Sequence, residues 1–213
     1  KQNLIAKDIF IGSDISSAAF FIVASLIVDG SCIEMRNVNI NKLRTGIVTV
    51  LKGMGADIEI SDIKKVSNEL LGNIKVRHSK LKCADIKGEI IPSLIDELPI
   101  LFIACACASG TSKISGIEEL RYKESDRIMA MENGLRVLGI NVHSSKDSIE
   151  ITGGKITGGK VNSYDDHRIA MSFAIAGLIS QHSLTIMDTQ NISTSFPTFV
   201  TILRELGAEI FEI

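Results

Sequence analysis

Leu51-Lys52-Gly53-Met54-Gly55-Ala56-Asp57-Ile58 decides how this chain is read, because the same pattern occurs three times. It returns as Leu135-Arg136-Val137-Leu138-Gly139-Ile140-Asn141-Val142 and as Leu203-Arg204-Glu205-Leu206-Gly207-Ala208-Glu209-Ile210. Each copy predicts an amphipathic helix, a glycine in the left-handed conformation that closes it, and a strand. The surroundings repeat as well. Upstream of each copy an apolar helix is predicted, over Ser16 to Val28, Asp96 to Ala108 and Asp166 to Ile179. A polar or glycine turn ends each one (Asp29-Gly30, Ser109-Gly110, Gln181-His182). Short β-like runs follow, Cys32 to Val38, Thr111 to Ile117 and Ser183 to Met187, with β-branched residues at alternating positions.

The chain therefore reads as an α/β protein of three repeated units, with extra strands from residues 73–91 and 148–164. The first unit has a single preceding strand, near Leu4 to Ile11, and the third stops directly after its Gly-Ala-Glu-Ile strand. Unpaired sheet edges are a liability in a folded protein. The arrangement is thus expected to be incomplete at its N-terminal end. Strands from sequence before Lys1 would complete it, making this the C-terminal half of something larger.

Composition narrows the function. With 213 residues, 45% of them hydrophobic, the chain can build a sizeable core. A net charge of −2 supplies no basic field for nucleic acid and no polybasic patch for a membrane. The longest apolar stretch, Leu98 to Ala108, is too short to span a bilayer, and no signal-peptide pattern is visible. Cys32, Cys83, Cys105 and Cys107 show no metal-ligand spacing with His78, His143, His167 or His182. They read as buried free thiols in a reducing, cytoplasmic setting.

Two charged clusters stand directly in front of helical runs: Lys123-Glu124-Ser125-Asp126-Arg127 and Asp165-Asp166-His167-Arg168. A helix N-terminus has free N–H groups and partial positive charge, so added Arg and Lys make an anion receptor. Capping has no use for Arg in the first turn, where the macrodipole disfavours it by about 0.3–1 kcal/mol. Arg127 and Arg168 suit a carboxylate or phosphate held bidentately. They equally suit two structural ion pairs, Arg127 with Glu124 and Arg168 with Asp165. Asp96 heads an apolar helix, either as a buried N-cap or as a carboxylate poised for proton transfer. Pro99 fits the first turn of that helix. Asp14, Ser16, Thr45 and Ser195 read as ordinary caps. The residues by themselves lead to an anion-binding site able to move protons.

Several motifs resemble the 5-enolpyruvylshikimate-3-phosphate synthase family. They are Gly12-Ser13-Asp14-Ile15-Ser16-Ser17-Ala18-Ala19-Phe20-Phe21, Ile91-Pro92-Ser93-Leu94-Ile95-Asp96-Glu97-Leu98-Pro99, Glu118-Glu119-Leu120-Arg121-Tyr122 running into the first charged cluster, Asp166-His167-Arg168-Ile169-Ala170-Met171, and Thr194-Ser195-Phe196-Pro197. The resemblance covers essentially the whole chain, in order. The Thr194 version looks closer to the glyphosate-insensitive bacterial branch, since sensitive members carry lysine there.

The resemblance implies a two-domain enzyme in which each domain is an inside-out α/β barrel of three βαβαββ units, helices inside and sheets outside. Residues 1–213 would form its single C-terminal domain, with units at about 4–72, 73–147 and 148–213. It implies transfer of the enolpyruvyl group of phosphoenolpyruvate to the 5-hydroxyl of shikimate 3-phosphate, with release of phosphate and no metal or organic cofactor. By motif, Asp96 would hold the shikimate hydroxyls and act as base. Glu124 would be the acid that protonates the methylene carbon. Lys123 would lie near both substrates, Arg127 and Arg168 would clamp the phosphoenolpyruvate carboxylate, and His167 would position the reacting groups.

The family's N-terminal half supplies a Lys-rich opening motif, a Gly-Asn loop and an arginine for the phosphates, none of which lies in residues 1–213. The chain alone is therefore expected to be inactive and to need that missing domain as its partner. The related UDP-N-acetylglucosamine enolpyruvyl transferase and a non-catalytic isolated domain are the alternatives. The Lys123-to-Arg127 and Asp166-to-Met171 motifs favour the shikimate enzyme.

Overall fold

The computed structural model describes residue 6 and residues 8–211. Along the chain come α1 (Ile15–Ile27), β1 (Cys32–Asn39), α2 (Gly46–Gly53), β2 (Asp57–Val66) and β3 (Glu69–Arg77). Next are β4 (Asp85–Ile86), α3 (Leu98–Ala106), β5 (Thr111–Ser115), α4 (Arg127–Val137), β6 (Asn141–Ser144) and β7 (Ser148–Thr152). The last group is β8 (Gly159–Asn162), α5 (His167–Gly177), β9 (Leu184–Met187), α6 (Ile192–Ser195) and α7 (Phe199–Glu205). The apolar helices and the strands behind them thus form where the residue pattern predicts them.

A helix apolar on every side belongs inside a core. All nine residues of α3 are buried, as are most of α1 and α5. These three helices pack on one another, and strands cover them: β1 and β3 over α1, β7 over α3, β9 over α5. The strands form three sheets, an antiparallel β1-β3-β2, a mixed β4-β5-β7-β6 and a parallel β8-β9 pair. Phe20 and Phe21 of α1 meet Phe196 and Phe199 with ring centroids 5.8–6.0 Å apart, which packs the segment around α7 onto α1.

The thrice-repeated motif makes the same turn each time. Gly55, Gly139 and Gly207 all have φ between +80° and +96°. The glycine N–H donates to the carbonyl three residues back, and the next N–H to the carbonyl five back: Ala56 to Leu51, Ile140 to Leu135, Ala208 to Leu203. This is the Schellman closure, and its left-handed residue explains the glycine in all three copies.

Another glycine sets a helix spacing. A Cβ on Gly134 of α4 would fall 2.0 Å from Cζ of the buried Phe173 on α5. Gly134→Ala is expected to cost about 1–3 kcal/mol through overpacking. Urea unfolding checks this, and an unchanged midpoint would show that Phe173 has room to move.

Three expectations need correction. Of the strand expected near 4–11, Leu4, Ile5 and Lys7 lie outside the described residues; residues 8–12 form no strand, and Ser13 makes an isolated bridge to Val38. Residues 208–211 after α7 form none either: the Ala208 N–H turns back to the Leu203 carbonyl, and the Arg204 side chain takes the Ile210 carbonyl. Cys105 is buried and Cys107 half-buried, but Cys32 and Cys83 are exposed, one opening β1 and the other in the loop before β4. Burial pushes the Cys105 and Cys107 thiols up to about 12, so both are inert near neutral pH. Among the described residues no helix is long and apolar enough to cross a membrane.

Candidate functional site

The N-terminal ends of α1, α3, α4 and α5 gather at one end of the molecule, joined by their charged side chains. Each start has a local cause. Asp14 caps α1, accepting from the Ser17 N–H at 3.0 Å. Asp126 caps α4, accepting from the Met129 N–H at 3.0 Å. Asp166 caps α5, accepting from the Arg168 N–H at 2.9 Å. Thr45 stands at the α2 start without a side-chain cap bond, Ser195 lies at the end of α6, and the Ser16 hydroxyl faces Arg44 instead.

The turn into α5 is unusual. Tyr164 and Asp165 both adopt left-handed backbone, φ 55° and 57°. For non-glycine residues this costs about 1–3 kcal/mol each. The Asn162 side chain accepts from the Tyr164 N–H at 2.5 Å and the Asn191 side chain donates to the Asp165 carbonyl, which holds the turn. The turn delivers Asp166 into the interior.

There Asp166, fully buried, meets Arg127, which is 1% exposed. Arg127 Nε donates to Asp166 Oδ2 at 2.8 Å and Nη2 to Oδ1 at 3.3 Å, while the Ser125 hydroxyl adds a bond to Oδ2 at 3.0 Å. Burial alone would raise the Asp166 pKa. The Arg127 hydrogen bond and charge, the Arg168 N–H and Ser125 together outweigh it and hold the carboxyl below the usual range.

Arg127 has two further anionic neighbours. Its Nη2 lies 2.6 Å from Glu124 Oε2 and its Nη1 3.6 Å from Asp96 Oδ1. The two more exposed carboxylates therefore sit on the two terminal nitrogens of one guanidinium. Asp96 is not the N-cap of α3: it lies in the 3-10 turn Ile95–Glu97, with its side chain 41% exposed. Lys123 Nζ approaches Asp96 at 3.6 Å and Glu119 at 2.5 Å, and its pKa is raised chiefly by the Glu119 bond, against a lowering from burial.

Arg168 reaches across to the same turn. Its Nη1 donates to the Asp96 carbonyl at 3.0 Å and stands 3.7 Å from Glu97, and its Nη2 lies 3.9 Å from the Asp96 carboxylate. These partners replace the structural pairing with Asp165. Burial, then the Arg168 charge, pulls the His167 pKa down. Asp96, Lys123, Glu124, Arg127 and Arg168 thus share one network, with His167 adjoining it. Cations are held ready for an anion, and two accessible carboxylates stand beside them.

The profile of the family described as EPSP synthase (3-phosphoshikimate 1-carboxyvinyltransferase) matches residues 1–203. The chain belongs to the EPSP synthase family.

A 3-phosphoshikimate 1-carboxyvinyltransferase of Coxiella burnetii (strain CbuK_Q154) is 48% identical over 207 residues, 97% of this chain and 47% of that protein. One from Legionella pneumophila (strain Paris) is 50% identical over 202 residues, 95% of this chain and 47% of that protein. An EPSP synthase structure from Acinetobacter baumannii superposes with a TM-score of 0.93 at 41% identity, covering 96% of this chain and 48% of that one. The enolpyruvyl transferase NikO of Streptomyces tendae shares the fold, with a TM-score of 0.70 at 15% identity over 92% of this chain and 43% of that one. The chain spans about half the length of the EPSP synthases it matches.

Sequence reasoning gave no site role to Glu97, Arg44 or Ser125 and read Ser16 only as a cap; the structure draws all four into or beside this network. Ser125 was legible as part of its charged cluster. The buried position of Glu97 has no local signal, since Asp96 beside it is equally acidic.

Proposed function

We propose that this chain is the C-terminal domain, residues 1–213, of a two-domain synthase. That enzyme moves the enolpyruvyl group of phosphoenolpyruvate to the 5-hydroxyl of shikimate 3-phosphate. The domain is an inside-out barrel of three units at about 4–72, 73–147 and 148–213, completed by the rest of the whole protein. Three identical Schellman turns and three apolar helices under three sheets support that reading. The four unpaired thiols suit a cytoplasmic setting.

One observation carries the functional reading: Asp96 and Glu124 flank a single guanidinium, with Lys123 and Arg168 beside them. The phosphoenolpyruvate carboxylate sits against Arg127 and Arg168, taking the place of Glu124 on Arg127 Nη2. Glu124, released from the guanidinium, takes up a proton from solvent and passes it to the methylene carbon, and the neighbouring carbon becomes cationic. As the 5-hydroxyl oxygen bonds to that carbon, Asp96 accepts its proton. Glu124 then takes a proton back from the new methyl group while the carbon–oxygen bond to phosphate breaks, and the proton held by Asp96 passes through solvent to the departing phosphate. Lys123 offsets the charge shared by both substrates, and His167 positions the reacting groups. The reaction uses no cofactor.

The test is phosphate release by the whole protein. Release that requires both phosphoenolpyruvate and shikimate 3-phosphate is expected. Release without shikimate 3-phosphate, or none with both, would contradict the reading.

A further inference from the structure

Glu97 is 5% exposed, yet it has no capping duty: it stands at the N-cap of α3 without a side-chain bond to that helix. A carboxylate taken from water without partners is costly. Its partners come from elsewhere in the chain. Arg168 Nη1 lies 3.7 Å from Glu97 Oε1. Burial raises the Glu97 pKa, opposed by the neighbouring Ser16 hydroxyl and the Arg168 charge, while Arg44 Nη2 donates to the oxygen of the buried Ser16 at 2.9 Å. Ser16 accepts from Arg44, so its own proton is free for the carboxylate. Arg44 is steadied further by Asp14 at 3.3 Å.

The result is a chain of contacts, Arg44 to Ser16 to Glu97 to Arg168. It links the first turn of α1, the start of α2, the turn before α3 and the first turn of α5. Arg168 thereby has a fixed carboxylate behind it and Asp96 in front. A long arginine held at one edge loses less freedom when its other edge takes an anion.

We propose that Glu97 is a positioning residue for Arg168, setting the guanidinium in the orientation that receives the carboxylate of phosphoenolpyruvate. The proposal rests on the reading that Arg168 binds this substrate. Glu97 itself touches no reacting atom.

The experiment compares the whole protein with its Glu97→Gln, Glu97→Asp and Arg168→Ala variants, measuring kcat, both KM values and the thermal midpoint. Glu97→Gln keeps the shape and a hydrogen-bonding oxygen but removes the charge. It is expected to raise KM for phosphoenolpyruvate roughly tenfold, through loss of the ion-pair partner that orients the guanidinium. KM for shikimate 3-phosphate and kcat should stay within about twofold, since only the phosphoenolpyruvate contact is loosened. Glu97→Asp, which retains the charge, should recover part of the loss.

A purely structural Glu97 would move both KM values and kcat together with the thermal midpoint, which would overturn the proposal. So would a Glu97→Gln enzyme with unchanged KM, provided that Arg168→Ala does raise it. If Arg168→Ala leaves KM for phosphoenolpyruvate unchanged, the underlying functional reading fails as well.

Discussion

Asp166→Asn is expected to lower the stability of this chain by about 3–5 kcal/mol, the range for removing one partner of a buried ion pair. Asp166 is fully buried and Arg127 is 1% exposed, so the variant strands a guanidinium away from water. Asparagine can still cap α5 but cannot neutralise Arg127 Nε, 2.8 Å away. Glu124 and Asp96 lie at 2.6 and 3.6 Å on the other nitrogens and are too exposed to replace it. At about 2–4 °C per kcal/mol for a chain of this size, the thermal midpoint should drop by roughly 10 °C.

The pH dependence has a definite sign. Asp166 has its pKa depressed in the folded state. Its contribution is present above the unfolded value, about 3.9, and is lost as pH falls through the lower folded value. The wild-type chain should therefore lose this contribution only in strong acid, and the asparagine variant should lack that part of the acid transition. Urea unfolding at neutral pH and in acid measures both effects. A variant within 1 kcal/mol of wild type, on the order of the error in such mutational estimates, would show that the pair is not a structural anchor.

The second large effect concerns Glu124. In the whole protein, Glu124→Gln is expected to lower kcat by about 10²–10⁴, the usual contribution of one general acid. Glutamine keeps an acceptor for Arg127 Nη2, now 2.6 Å from Glu124, so the fold and the guanidinium should stay in place. With Glu124 52% exposed, the thermal midpoint should move little. If Glu124 is the acid at the reacting carbon, KM for phosphoenolpyruvate should change far less than kcat. Steady-state phosphate release reads both constants. A kcat within tenfold of wild type would remove Glu124 from the role of acid.

These two residues show where sequence reading succeeds and where it stops. The start of α4 and α5 behind charged clusters was legible, because helix N-termini have local signals: Asp126 and Asp166 as caps, apolar runs behind them. The Arg127–Glu124 pair was legible too, being three residues apart on one turn. The stronger Arg127–Asp166 pair was not, since 39 residues separate its partners and only the packing of α4 on α5 brings them together. Gly134, which lets Phe173 close that gap, gives no sign of it in sequence.

Asp96 and Glu97 make the same point at shorter range. Both precede an apolar helix, and the phase of a single 3-10 turn leaves one 41% exposed and buries the other. A rotation of one residue decides which carboxylate stands accessible beside Lys123 and which one is buried against Arg168. That phase depends on Ser16 and Arg168, far away in sequence. The three Schellman turns lie at the opposite extreme: each is complete within six residues, so the pattern alone locates it.

The most direct test of the account sets phosphate release by the whole protein beside release by residues 1–213 alone, with phosphoenolpyruvate and shikimate 3-phosphate both present. On the proposed function, Asp96, Glu124, Arg127 and Arg168 are the carboxylates and the anion clamp of one domain, and the phosphate contacts come from the other. The account therefore predicts turnover by the whole protein and none above background by the isolated chain. Turnover by the isolated chain at the rate of the whole protein would contradict it.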